Sequence, residues 1–234
     1  MKITLIYGAS ILAAYLLGSI PMGLLLTRLK GLDIRKVGSG NIGATNVFRS
    51  VSKGLGIATF VFDFLKGFVP ATVFPLLTAL STSSKPDPAL AILCGCAAIA
   101  GHNWSAYIGF KGGKGVATSA GVLLGIAPLA VGVGLLAWVV LFVASRYVSV
   151  ASIGAAVIVA GSSWIFYLPH GILLPATLTI LAGLVVARHR SNIERLIKGT
   201  EHRFQFRGQS SEVRYQQEGE GGNHGSNNGE RACR

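Results

Sequence analysis

The segment VATSAGVLLGIAPLAVGVGLLAWVVLFVAS, residues 116–145, runs for 30 residues without a charge. As one α-helix at 1.5 Å per residue it would be about 45 Å long, against about 30 Å of bilayer hydrocarbon. Pro128 sits inside it, and proline interrupts a helix interior. Lys111 and Lys114 precede the segment and Arg146 follows it. Lysine and arginine gather on one side of a membrane, so a single crossing would put these residues on opposite faces. Two crossings, a short one near 116–126 and a fuller one near 129–145, return them to the same face. About 11 residues cannot span a hydrocarbon core unaided, so the short helix implies a loop dipping inward beside it.

The same rule orders the rest of the chain. Apolar runs at 3–27, 54–80, 89–110, 148–168 and 172–187 supply the other spans, and the positive charges fall in loops 28–53, 111–114, 146 and 188–207. The segments at 1–2, 81–88 and 168–171 carry little positive charge. The expected fold is all-α: a polytopic membrane protein of seven transmembrane helices, one short, with the N-terminus outside and the C-terminus cytoplasmic. Residues 1–200 form the membrane domain. Residues 201–234 form a polar tail rich in Gly and Asn that cannot bury enough apolar surface to order itself, and no chemistry is expected of it.

Composition agrees. Hydrophobic residues make up 51% of the 234 and charged residues 13%, about half the charge of a soluble domain. The formal net charge of +12 sits at the ends of apolar runs, so topology accounts for it and nucleic acid is not an expected partner. The first run is too long for a signal-peptide core and lacks a basic n-region beyond Lys2, so it reads as a retained span. Cys94 and Cys96 lie on different faces of a helix and Cys233 lies in the tail, which suggests neither a disulfide framework nor a metal site.

The informative polar stretches all fall on the expected cytoplasmic side. In VGSGNIGATNVFR (37–49), Gly38, Gly40 and Gly43 permit conformations in which amides converge on an anion. Ser39, Asn41, Thr45 and Asn46 add neutral donors, and Arg49 supplies a planar fork suited to phosphate. The spacing is neither a Walker A loop nor a dinucleotide fingerprint. In FKGGKGVAT, Lys111 and Lys114 bracket the diglycine Gly112–Gly113 just before an apolar helix, combining ammonium groups, amides and a positive helix end. SRYVSVASI carries Arg146, Ser149 and Ser152, and ARHRSNIERLIKGTEHR carries Arg188, His189, Arg190 and Asn192 directly after the last span. For each stretch a bland reading stands beside the functional one: flexible loops with topogenic cations. His102 and Asn103 read as a packed helix-end pair. Asp63 and Lys66, three apart within a span, read as a structural ion pair.

No HExxH, carboxylate cluster or Cys/His set offers a metal site, and no GxSxG elbow appears. The polar groups are cations and amides, suited to hold anions, more than one phosphate among them. A transporter or channel for phosphate-bearing metabolites is the alternative to an enzyme. Against it, all the polar stretches lie on one face and no second half repeats the first.

GSGNIGATNVFR, DFLKG, GHNWS with FKGGKGVAT, RYVSVASI and RHRSNIERLIKGTE occur in this order. Together they resemble the bacterial acyl-phosphate:glycerol-3-phosphate acyltransferase (PlsY) family of phospholipid synthesis, over roughly residues 5–201. The resemblance implies a seven-helix enzyme of the bacterial cytoplasmic membrane with its active site facing the cytoplasm. It implies transfer of an acyl group from acyl-phosphate to the 1-hydroxyl of sn-glycerol 3-phosphate, giving lysophosphatidic acid and phosphate, with no cofactor or metal. By that resemblance Ser39 and neighbouring amides hold a phosphate, Arg49 and Lys114 lie near the two phosphates, and Ser152, His189 and Asn192 contact glycerol phosphate. Catalytic roles fall to Ser39, Arg49, Lys114, His189 and Asn192; substrate binding falls to Gly38, Gly40, Asn41, Gly43, Thr45, Asn46, Lys111, Gly112, Gly113 and Ser152. The resemblance also implies coupling to PlsX, the soluble enzyme that makes acyl-phosphate. Whether His189 is a base or only orients substrate stays open.

Overall fold

The computed structural model describes residues 2–204. Among them every regular element is helical: α1 (Lys2–Ser19), α2 (Met22–Arg28), α3 (Ala44–Ser50), α4 (Lys53–Thr82), α5 (Pro88–Asn103), α6 (Val116–Ile126), α7 (Pro128–Ser145), α8 (Val148–Phe166), α9 (Leu173–Arg188) and α10 (Arg190–Ile197), with short 3-10 turns between some of them. Among the described residues four helical stretches are long and apolar enough to cross a membrane: Lys53–Thr82, Pro88–Ile108, Pro128–Ser145 and Val148–Phe166. Counting each bent pair as one span, α1 with α2 and α9 with α10, makes six. Val116–Ile126 is a shorter apolar helix.

The division of residues 116–145 falls at Ala127–Pro128, where Ala127 has φ −147° and Pro128 opens α7. Pro128 therefore begins a helix, a position where its missing N–H costs nothing. The run at 3–27 is not one straight helix. It bends by 41° between α1 and α2, because Pro21 cannot continue the helical ladder. The carbonyls freed there are taken by side chains: Lys66 Nζ donates to Ile20 O at 2.7 Å, and Ser105 Oγ donates to Ser19 O at 2.5 Å. The run at 89–110 likewise stops being α-helical at Asn103.

α4 lies at the centre, packed against α1, α5 and α6. The α4–α6 crossing is backbone to backbone: a Cβ on Gly121 would lie 2.0 Å from Phe64 O, and one on Gly67 2.2 Å from Thr118 O. Small residues are what permit such an approach between membrane helices. α7 is peripheral, and Leu135, Leu136 and Val143 on it are exposed. Exposed apolar faces of this extent, with the spans above, make this a multi-pass membrane protein. The charge inside α4 is paired, Lys66 Nζ lying 2.7 Å from Asp63 Oδ1, and His102 Nδ1 of α5 stands 3.6 Å from the same oxygen. All three side chains are almost fully buried. Pairing offsets a charge that would be costly alone in an apolar span.

Candidate functional site

The loop 37–43 is built around Asn46, a side chain only 3% exposed. Its Oδ1 accepts from Ser39 N at 3.0 Å, and its Nδ2 donates to Val37 O at 3.0 Å and Asn41 O at 2.9 Å. Asn46 thus commits its hydrogen bonds to the loop backbone and acts as the loop's frame. Gly38 and Gly40 take positive φ of 59° and 69°, which glycine adopts without penalty. Gly43, at φ −75°, has an ordinary backbone; its amide is held by Asn41 Oδ1 at 2.8 Å.

This loop, the 111–115 loop, the start of α8 and the α9–α10 junction converge on a cavity of about 450 Å³. Ser39, Asn41, Gly43, Thr45, Asn46, Arg49, Lys114, Ser152, His189 and Asn192 all line it. A second cavity of about 280 Å³ adjoins it, sharing Ser39, Asn41 and Lys114 and adding Gly40, Lys111 and Gly112. Gly38 and Gly113 line neither cavity. The Gly112 and Gly113 amides face the end of α5, donating to Asn103 O at 3.2 Å and His102 O at 3.0 Å. In this structure they are committed to the fold, not open to an anion.

Five polar side chains lining the larger cavity form one connected set. Lys114 Nζ donates to Asn192 Oδ1. Asn192 Nδ2 donates to Glu201 Oε1 at 2.7 Å, Ser149 Oγ donates to the same oxygen at 2.9 Å, and Arg195 Nε donates to Glu201 Oε2 at 2.7 Å. Ser152 Oγ accepts from the Trp138 indole at 3.2 Å, which leaves its own proton to donate. His189 Nδ1 lies 2.7 Å from Val185 O. A carbonyl only accepts, so Nδ1 carries the proton, and in the neutral ring Nε2 keeps its lone pair.

Charge here is shaped by burial. Burial, opposed by Glu201, pushes the Lys114 ammonium down to about 8, with Arg195, Arg49 and Arg188 adding to the fall. Burial likewise lowers Arg49, again with Glu201 opposing; arginine stays charged regardless. Arg49 makes no ion pair within 4 Å among the described residues. Glu201 is raised by burial but more strongly lowered by the bonds from Asn192, Arg195 and Ser149, and ends below the usual carboxylate range. Among the described residues no three His, Cys, Asp or Glu side chains group as metal ligands.

Residues beyond the expected boundary at residue 200 line the cavity, Glu201 and Phe204 among them. Glu201 is in the hydrogen-bonded set, and Phe204 packs on Phe142 (ring centroids 5.4 Å apart) and Phe48 (6.3 Å), with its N–H on Arg146 O at 2.8 Å. Residues 205–234, the rest of the expected tail, lie outside the described residues. Glu201, Arg195 and Trp138 were not expected at the site. Glu201 closes the motif RHRSNIERLIKGTE, and an acid ending so basic a run was the available signal. The cavity is also lined by apolar side chains, Ile57 and Phe60 of α4, Phe142 of α7, Val148 and Phe204. The cavity therefore offers cations and hydrogen-bond donors together with hydrocarbon.

The family described as Glycerol-3-phosphate acyltransferase matches residues 8–199. A glycerol-3-phosphate acyltransferase of Aquifex aeolicus (strain VF5) is 42% identical over 194 residues, 83% of this chain and 97% of its own length. One from Trichlorobacter lovleyi is 46% identical over 83% of this chain and 95% of its own. Among solved structures, PlsY (YgiH), an integral membrane glycerol 3-phosphate acyltransferase, is similar in its glycerol 3-phosphate form, with TM-score 0.76, 39% identity and coverage of 85% of this chain and 96% of that one. Its lysophosphatidic acid form gives TM-score 0.73 at 38% identity. With the family matched across nearly the whole helical region, this chain belongs to the glycerol-3-phosphate acyltransferases.

Proposed function

We propose that this chain transfers an acyl group from acyl-phosphate to the 1-hydroxyl of sn-glycerol 3-phosphate, releasing lysophosphatidic acid and inorganic phosphate. The supporting observation is the cavity lined by Arg49, Lys114 and Arg195, from three separate segments, together with apolar side chains. Both substrates carry a phosphate, and one also carries a hydrocarbon chain, so a cavity with this mixed lining suits them. In this reading the chain crosses the bacterial cytoplasmic membrane seven times, with the short α6 as one crossing, the N-terminus outside and the site on the cytoplasmic side. A soluble acyl-phosphate-forming enzyme of the PlsX kind supplies the donor.

Acyl-phosphate is a mixed anhydride and needs no protein nucleophile, so catalysis reduces to positioning two anions and stabilising developing charge. The substrate O1 attacks the acyl carbon, a C–O ester bond forms, and the C–O bond to phosphate breaks. In our mechanism a donor phosphate oxygen takes the hydroxyl proton and leaves with it. Lys114 and Arg49 stabilise the phosphates, while Ser152 donates to substrate and His189, fixed by Val185 O, orients the hydroxyl through Nε2. Purified protein should release phosphate from palmitoyl-phosphate only when glycerol 3-phosphate is present, in one-to-one ratio with lysophosphatidate. Release independent of glycerol 3-phosphate would sink the reading. A loss in His189→Gln as large as that of Lys114→Ala with Arg49→Ala combined would count against proton transfer to the donor phosphate.

A further inference from the structure

Arg188 stands beside the site yet lines neither cavity. Its guanidinium is committed to backbone. Nε donates to Gly113 O at 3.1 Å, and Nη2 approaches Gly113 O at 2.7 Å, Asn103 O at 3.1 Å and Gly112 O at 3.2 Å. The group also lies 5.6 Å from the centroid of the Trp104 ring, within cation–π range. On the loop's other edge, the Gly112 and Gly113 amides satisfy Asn103 O and His102 O, carbonyls at the end of α5 that lack intrahelical partners. The fit is close. A Cβ on Gly112 would meet His102 O at 2.0 Å, and one on Gly113 would meet His102 Nε2 at 2.1 Å. In a trans peptide the carbonyl and the following N–H point in opposite directions. Holding the Gly113 carbonyl on Arg188 therefore fixes the plane of the Gly113–Lys114 peptide and the direction in which Lys114 departs.

We propose that Arg188 is a positioning residue for the acyl transfer: a guanidinium clamp on the Asn103, Gly112 and Gly113 carbonyls that sets the 111–115 loop so that Lys114 meets Asn192 at the cavity wall. The inference rests on the proposed reaction for its kinetic test and on geometry alone for its structural one. A lysine cannot replace the clamp, because one ammonium on a flexible stem does not reproduce a planar fork aimed at three carbonyls.

Two measurements test it. Hydrogen exchange needs no turnover: in Arg188→Lys, amides of residues 111–115 should exchange about tenfold faster while α4 and α8 are unchanged. Unchanged loop exchange overturns the clamp whatever the protein catalyses. The second is a double-mutant cycle on kcat/KM with palmitoyl-phosphate and glycerol 3-phosphate. Arg188→Gln should lower kcat/KM about 20-fold in the native chain and less than about twofold in the Lys114→Ala background, since the residue acts through Lys114. Equal losses in both backgrounds would show an effect independent of Lys114 and overturn it. If Arg188→Gln does not fold, Arg188→Lys carries the cycle; loss of fold in both assigns Arg188 to stability and also overturns the proposal. A native chain without acyltransferase activity would refute the reaction, and the exchange result would still decide the clamp.

Discussion

Lys114 makes the pH dependence of this protein predictable in sign and size. Its ammonium is pushed down to about 8, first by burial and then by neighbouring Arg195, Arg49 and Arg188 against the pull of Glu201. The charged form is the one that binds phosphate, so binding competence is present below about pH 8 and lost as pH rises through it. At about pH 7 roughly nine-tenths of Lys114 is charged and at about pH 9 roughly one-tenth, so kcat/KM should fall about tenfold across that interval. Stability should move the other way. With the folded value below the ordinary 10.5, the unfolded chain binds more protons between about 8 and 10.5, and this group's contribution to stability rises with pH there. Activity falling while thermal stability holds or rises separates titration from denaturation. The assay is initial phosphate release from palmitoyl-phosphate at sub-saturating glycerol 3-phosphate, with enzyme-free blanks at each pH. Lys114→Arg, charged throughout, should lose this alkaline limb. A flat profile from about pH 7 to 9.5 in the native chain would refute the role given to Lys114.

Arg49→Ala removes a cation that has no carboxylate partner within 4 Å among the described residues, and should cost at least about 2 kcal/mol in transition-state stabilisation, tens-fold in kcat/KM; Arg49→Lys should not restore it. Glu201→Ala strips the acceptor shared by Ser149, Asn192 and Arg195, and should destabilise the fold by about 1–3 kcal/mol in thermal unfolding. A chain ending at residue 207 keeps Glu201 and Phe204 and should retain near-native activity; large loss there would show that residues 208–234 matter. In a chain cleared of native cysteines, Ser83→Cys, Asp87→Cys and Pro169→Cys should label from outside, and Ser50→Cys, Gly112→Cys and Ser191→Cys only after permeabilisation. External labelling at Gly112→Cys contradicts the seven-crossing map.

Features governed by local sequence are legible without the structure. Charge placement around residues 116–145 divides that run, and the helices end at Ile126 and begin at Pro128. The Asp63–Lys66 pair follows from helical spacing alone, and it is present. Contacts that join distant segments are not legible. The proline makes a break at Pro21 foreseeable, but not the Lys66 amine that takes the Ile20 carbonyl 46 residues away. Arg188 looks like any cation of a basic run, and only the fold lays the diglycine carbonyls against it, 75 and 76 positions back. Asn46 looks like a ligand because amides bind phosphate; that its amide also ties the loop carbonyls together is visible only in the fold. The polar, glycine-rich composition of the C-terminal stretch draws Glu201 into the tail, yet three donors hold it at the cavity.

The donor is the point on which the account stands. A thioester leaves as a thiolate and offers no phosphate oxygen to take the hydroxyl proton, and a CoA moiety would need a ribose and adenine pocket. Matched palmitoyl-phosphate and palmitoyl-CoA should therefore be compared as donors to glycerol 3-phosphate, reading lysophosphatidate formed by purified protein in detergent or lipidic mesophase. The account predicts that palmitoyl-CoA supports less than about one per cent of the palmitoyl-phosphate rate, a gap of about 2.7 kcal/mol in barrier. Comparable rates with the two donors would contradict it.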